Sequence, residues 1–63
     1  MLAEFETEND AMDFMAFLMS QNNQGHKQVL YATVGLTGVE YNYYNVIHDD
    51  LYDRVNDYLN ALS

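Results

Sequence analysis

"KQVLYATVGLTGVEYNYYN", residues 27–45, holds the two runs richest in β-branched and aromatic residues, and "GLTG" at 35–38 supplies turn chemistry between them. It predicts an antiparallel hairpin. Alternation puts Val39, Tyr41 and Tyr43 on one face of the second strand and Glu40, Asn42 and Tyr44 on the other. In the first strand Leu30, Ala32 and Val34 oppose Val29, Tyr31 and Thr33. Neither face of that strand is polar, so part of the sheet is expected to be covered twice or exposed as a tyrosine patch.

Upstream, "LAEFE" at 2–6 alternates apolar and acidic residues, as a short strand with one buried face does. Thr7 follows as an N-cap, with acids in the favourable first turn of a helix expected from Glu8 to Gln21. At about 100° per residue, Ala11, Met12, Met15, Leu18 and Met19 share one face, which is expected to be the core side. Phe17 then falls among Asp13 and Gln21, and Phe14 on the border. These two phenylalanines are therefore expected at an interface with a second copy of the chain. "QNNQGH" at 21–26, with Gly25 as a left-handed stop, ends the helix.

Downstream of the hairpin, a second helix is expected to begin between Asn45 and Asp49. Ile47, Leu51, Val55, Tyr58, Leu59 and Leu62 make its apolar stripe. The resulting order is βαββα, an α+β domain with two helices packed on a short antiparallel sheet. No proline, linker, repeat or low-complexity tract divides the chain. Residues 1–63 read as one domain.

That domain is near the lower limit at which an apolar core outweighs chain entropy without reinforcement. It contains no cysteine and two histidines, so a disulfide and a closed structural zinc site are both excluded, and a homodimer is the expected reinforcement. Ten acids against two bases give a formal net charge of −8. With no Lys/Arg patch to neutralise phosphates, direct contact with nucleic acid or an anionic membrane is disfavoured. At 49% hydrophobic and 14% aromatic residues, the chain is still too apolar to be a disordered acidic tail. The longest apolar run, in "AMDFMAFLM", is too short to span a bilayer, and acids stand where a signal peptide would carry bases. A cytoplasmic protein is expected.

No catalytic motif is present, and a chain this short has difficulty enclosing a pocket, so a non-enzymatic role without cofactor is expected. "HDD" at 48–50 with Asp53 puts an imidazole and carboxylates at helical spacing. It lacks any established metal-binding spacing, and no metal site is expected from it.

The most specific feature is an acidic ridge on the second helix: Asp49, Asp53 and Asp57 at one-turn intervals of about 6 Å, with Asp50 beside them. Its charge density approaches that of one DNA strand's phosphates, roughly one charge every 3 to 4 Å. Solvated helix faces often carry acids, but usually with lysine in supportive i, i+4 pairs. Here the ridge charges are nearly all alike, and aspartate is a poorer helix former than glutamate, so the ridge is expected to cost helix stability. Glu4, Glu6, Asp10 and Asp13 form a second acidic patch, and Tyr44 is the best exposed aromatic anchor. The expected partner is a basic, nucleic-acid-binding protein, met by an inhibitor or adaptor that imitates DNA. Small acidic phage proteins that block host defence or transcription are similar in size and charge, a likeness of composition alone. The alternative is a homo-oligomeric structural domain whose acids only confer solubility.

Overall fold

The computed structural model describes residues 1–22 and 25–62; the part of "QNNQGH" at 23–24 lies outside the described residues. Thr7 opens the first helix as expected. Its extended backbone (φ −131°) turns the side chain inward to accept a hydrogen bond from the Asp10 amide at 3.1 Å. The elements are β1 (Leu2–Glu4), α1 (Glu8–Gln21), β2 (Val29–Val34), β3 (Gly38–Tyr43) and α2 (Asp50–Ala61), the βαββα order of a small α+β domain.

The sheet is antiparallel with strand order β1-β3-β2. Ala3, Val39 and Thr33 align across it, as do Tyr31 and Tyr41. Between β2 and β3 the chain turns through Gly35, whose φ of +66° is strained for any residue with a side chain. Gly38 is required for a different reason, because a Cβ there would lie 2.7 Å from the Val34 carbonyl oxygen.

Both helices lie on one face of the sheet. Ala3, Val29, Val39 and Tyr41 meet Ala11, Phe14 and Leu18 of α1 and Leu51 and Val55 of α2, all buried. The helices run antiparallel, since Gln21 meets Arg54 while Phe17, one turn earlier in α1, stacks on Tyr58, one turn later in α2. This placement corrects the expected core face of α1. Met12 and Met19 are 53% and 60% exposed, and only Met15 of the methionine stripe packs against the core. The inward face, formed by Ala11, Phe14 and Leu18, is centred roughly 70° around the helix from the face that periodicity favours. A helix touching both a sheet and a second helix buries a wide arc, and Phe17 occupies the part turned towards α2.

Phe14, at 0% exposure, has ring contacts with Phe5, Phe17, Tyr41 and Tyr58. It offers no surface to a second copy, which corrects the expectation of a self-interface there. Ile47 and Leu62, expected in the stripe of α2, are about half exposed at its two ends.

Gln28 is the single buried polar side chain among the described residues. Its amide nitrogen donates to the Gln21 carbonyl at 2.8 Å, and its oxygen accepts from the Ile47 amide at 3.1 Å. Its own backbone N–H donates to the Asn22 side chain, and its carbonyl accepts from Tyr44. The end of α1, the start of β2 and the lead into α2 are thus joined through one satisfied residue.

Replacing Phe14 by Ala should cost about 3–5 kcal/mol, enough to unfold much of a domain this small. Met12→Gln should stay within about 0.5 kcal/mol of the parent. Urea denaturation separates the two, and comparable losses at both positions would contradict this placement of α1.

Candidate functional site

α2 begins at Asp50 with Asp49 as its N-cap, so the sequence "DDLYD" lies in and around the first turn. The positive end of the helix dipole favours acids at that place. The expected cost of the ridge is therefore corrected for Asp49, Asp50 and Asp53. Asp57 gains nothing of the kind, because it lies further along α2, whose last turn carries no base. Asp49, Asp50, Asp53 and Asp57 are all exposed, and the spacing of about 6 Å per turn holds along Asp49, Asp53 and Asp57.

Asp50 differs from the other three. Its carboxylate accepts a hydrogen bond from Arg54 Nη1 at 2.6 Å, an i, i+4 pair exposed to solvent and worth less than about 1 kcal/mol. Arg54 Nε also donates to Gln21 Oε1 at 2.8 Å, which clasps α2 to the end of α1. One of the two bases is thereby committed within the helical layer, and it offsets one ridge charge.

The antiparallel packing brings the beginning of α1 alongside the second half of α2. Tyr58, next to Asp57, stacks on Phe17 with ring centroids 4.4 Å apart. Its phenol is held above the ordinary value of 10.0, first by burial and then by the negative charges of Asp13 and Asp10. Glu6 and Asp10 line an open groove of about 440 Å³ together with Tyr41, Leu59 and Leu62. Asp13 and Asp10 of α1 thus lie within electrostatic reach of Tyr58 on α2, the residue that follows Asp57.

Glu4 lines the same groove from its β1 side. Sheet alternation places it opposite Gly38, on the face away from the helices, beside Leu2 and Glu40. Tyr44 is exposed and groups with Met19, His26, Lys27 and Tyr31 around a second open groove of about 670 Å³, with no acid in its lining. The other tyrosines continue the core: Tyr41 meets Tyr43, which meets Tyr52 edge-on at 4.4 Å. Phe17 is half-buried against Tyr58, not presented as a free surface.

His26 contacts the Asn45 carbonyl at 2.8 Å, and the His48 carbonyl accepts from the Leu51 amide at the entrance to α2. Among the described residues no three His, Asp or Glu side chains converge as metal ligands, and no helix is long and apolar enough to cross a membrane. Two features of the site are not evident in the sequence: the Arg54–Gln21 clasp and the reach of Asp13 and Asp10 to Tyr58. The i, i+4 spacing of Asp50 and Arg54 could have signalled the ion pair. Nothing local could have signalled Gln21. In comparisons with family models, curated proteins and solved structures, the chain matches none.

Replacing both Asp10 and Asp13 by Asn should lower the Tyr58 titration towards 10.0, leaving only the effect of burial. Because the folded state holds the phenolic proton more tightly than the unfolded state, this contribution to stability is intact below pH 10.0 and is lost as pH rises through the folded value. Phenolate absorbance, assigned with Tyr58→Phe, reads the shift. An unmoved Tyr58 would show that these acids do not reach it.

Proposed function

We propose that the chain is a non-enzymatic inhibitor or adaptor that presents an acidic, DNA-imitating surface to a basic, nucleic-acid-binding protein. The observation that carries this reading is the exposed acidic row of α2 lying beside an α1 whose Asp13 and Asp10 reach across to Tyr58 of α2. Helix dipoles account for Glu8, Asp10, Asp49, Asp50 and Asp53 individually. They do not account for Asp13 in the middle of α1 or for Asp57 in the second half of α2. Of the ten acids, Glu6, Glu8, Asp10, Asp13, Asp49, Asp50, Asp53 and Asp57 belong to the helical layer, where Arg54 is the one base.

A site built to grip phosphates meets a comparable array of negative charge on α2, on a rigid helix that pays no ordering cost on binding. Tyr58 and Leu62 supply apolar contact beside it. Tyr44, on the groove with Lys27, is better suited to another contact. The same field repels nucleic acid and anionic lipid, so the chain acts in place of nucleic acid and not on it. Self-association is compatible with this role, but it must use residues other than Phe14.

The test is capture of basic proteins from cell lysate on the immobilised chain, followed by elution with salt. Changing Asp49, Asp53 and Asp57 together to Asn removes roughly 0.5 kcal/mol per exposed charge, so binding should weaken by about tenfold or more. Duplex DNA should compete for the captured protein. Capture indifferent to salt, to DNA and to the three substitutions would overturn the reading.

A further inference from the structure

β2 is an edge strand, and its unpaired backbone groups can be assigned one by one. The Gln28 carbonyl accepts from the Tyr44 amide just past β3, so in the register that follows Leu30, Ala32 and Val34 turn their N–H and C=O groups towards β3 and Val29, Tyr31 and Thr33 turn theirs outward. At Val29 the outward groups are already taken. The Asn22 side chain accepts from the Val29 amide at 2.9 Å and donates to its carbonyl at 3.1 Å, as a neighbouring strand would. Beyond Val34, Gly35 turns out of the strand. The open edge is therefore Tyr31 and Thr33, whose outward backbone groups meet no partner among the described residues.

Edge strands of monomeric proteins are usually protected by charge, proline or a bulge. β1, the other edge, is three residues long and carries Glu4. β2, "VLYATV", has none of these protections.

We propose that β2 pairs antiparallel with β2 of a second copy of this chain about a two-fold axis at Ala32, making one continuous six-stranded sheet. In that register Tyr31 of each copy faces Thr33 of the other, and all four open N–H and all four open C=O groups are positioned to form four hydrogen bonds on each side of the axis taken together, two per facing pair. The neighbouring registers do less well. Centring on Tyr31 sets Thr33 against Val29, which Asn22 already occupies, and centring on Thr33 sets Tyr31 against the turn at Gly35. On the open face Leu30 of each copy comes beside Val34 of the other, both 44% exposed in the single chain.

Two further observations select a second copy as the occupant. In a chain of net charge −8, residues 14–39 contain no acid, so β2 itself brings no negative charge to the axis, and Glu40, opposite Ala32, stands one strand further in. The outward face of α1 fits as well. α1 packs over β2 and β3, on the side away from α2, so a two-fold at the β2 edge brings the two α1 helices to roughly 10 Å, the distance at which helices pack. The residues there are Met12, Ala16 and Met19, exposed and without any role in the single chain. Glu8, the acid on that face, falls towards the partner's Met19 end, whose groove holds Lys27. The interface leaves Asp49, Asp53 and Asp57 outward and does not depend on what they bind.

Light scattering of the whole chain should give twice the monomer mass, falling on dilution. Ala32→Glu sets like charges opposite each other at the axis, and Thr33→Pro removes an outward donor where proline is tolerated. Each should raise the dissociation constant by at least about tenfold while circular dichroism stays unchanged. Ala32→Cys, in a chain with no other cysteine, should close a disulfide-linked dimer on mild oxidation, because facing residues at a non-hydrogen-bonded position are within disulfide reach. A monomer at every concentration reached would overturn the proposal. So would a dimer that survives Ala32→Glu and Thr33→Pro and fails to cross-link through Ala32→Cys.

Discussion

Everything in this fold depends on the Phe14 ring. It touches Phe5 at the end of β1, Tyr41 in β3, Phe17 on its own helix and Tyr58 in α2, with centroid separations from 5.3 to 6.4 Å. A 63-residue chain cannot build a core of several layers, so one large side chain must serve all neighbouring elements at once. The aliphatic residues beside it, Leu18, Val39, Leu51 and Val55, fill the remaining volume. Because α1 is held by this ring, its rotation decides which other side chains face outward. The exposure of Met12 and Met19 and the turn of Phe17 towards α2 follow from it.

That dependence explains what was and was not legible in the sequence. The hairpin, the Thr7 cap, both bounds of α1 and the βαββα order are set by residues close together in the chain, through turn chemistry, capping and alternation, and all were readable. The rotation of α1 was not. Periodicity finds the most hydrophobic arc of an isolated helix, and a methionine stripe wins that comparison. In the folded chain the choice was made by contacts with Tyr41 and Tyr58, which are 27 and 44 residues further on. Gln28 was unreadable for the same reason, since its partners come from Gln21, Asn22, Tyr44 and Ile47.

The acidic surface was partly legible. Positions along α2 followed from helical spacing, but their energetic meaning turned on where the helix begins. With Asp49 as N-cap, three of the ridge acids stand at the favourable end of the dipole and need no function to justify them. Asp57 and Asp13 remain unexplained by local physics, and Asp13 reaches Tyr58 across the junction between the two helices.

Self-repulsion gives that junction its significance. A chain of net charge −8 would lower its folded-state energy by spreading its acids, yet residues 14–39 carry none and the helical layer carries most. Segregation concentrates the repulsion at one surface, and it frees the rest of the molecule from it. The uncharged part includes the β2 edge and the exposed methionines of α1, surfaces on which apolar and backbone contacts can form without an electrostatic barrier. The charged part is costly to the free chain, and any cationic partner relieves that cost on binding. A uniform distribution of the same ten acids would have supplied equal solubility without either surface, so solubility alone does not account for the arrangement.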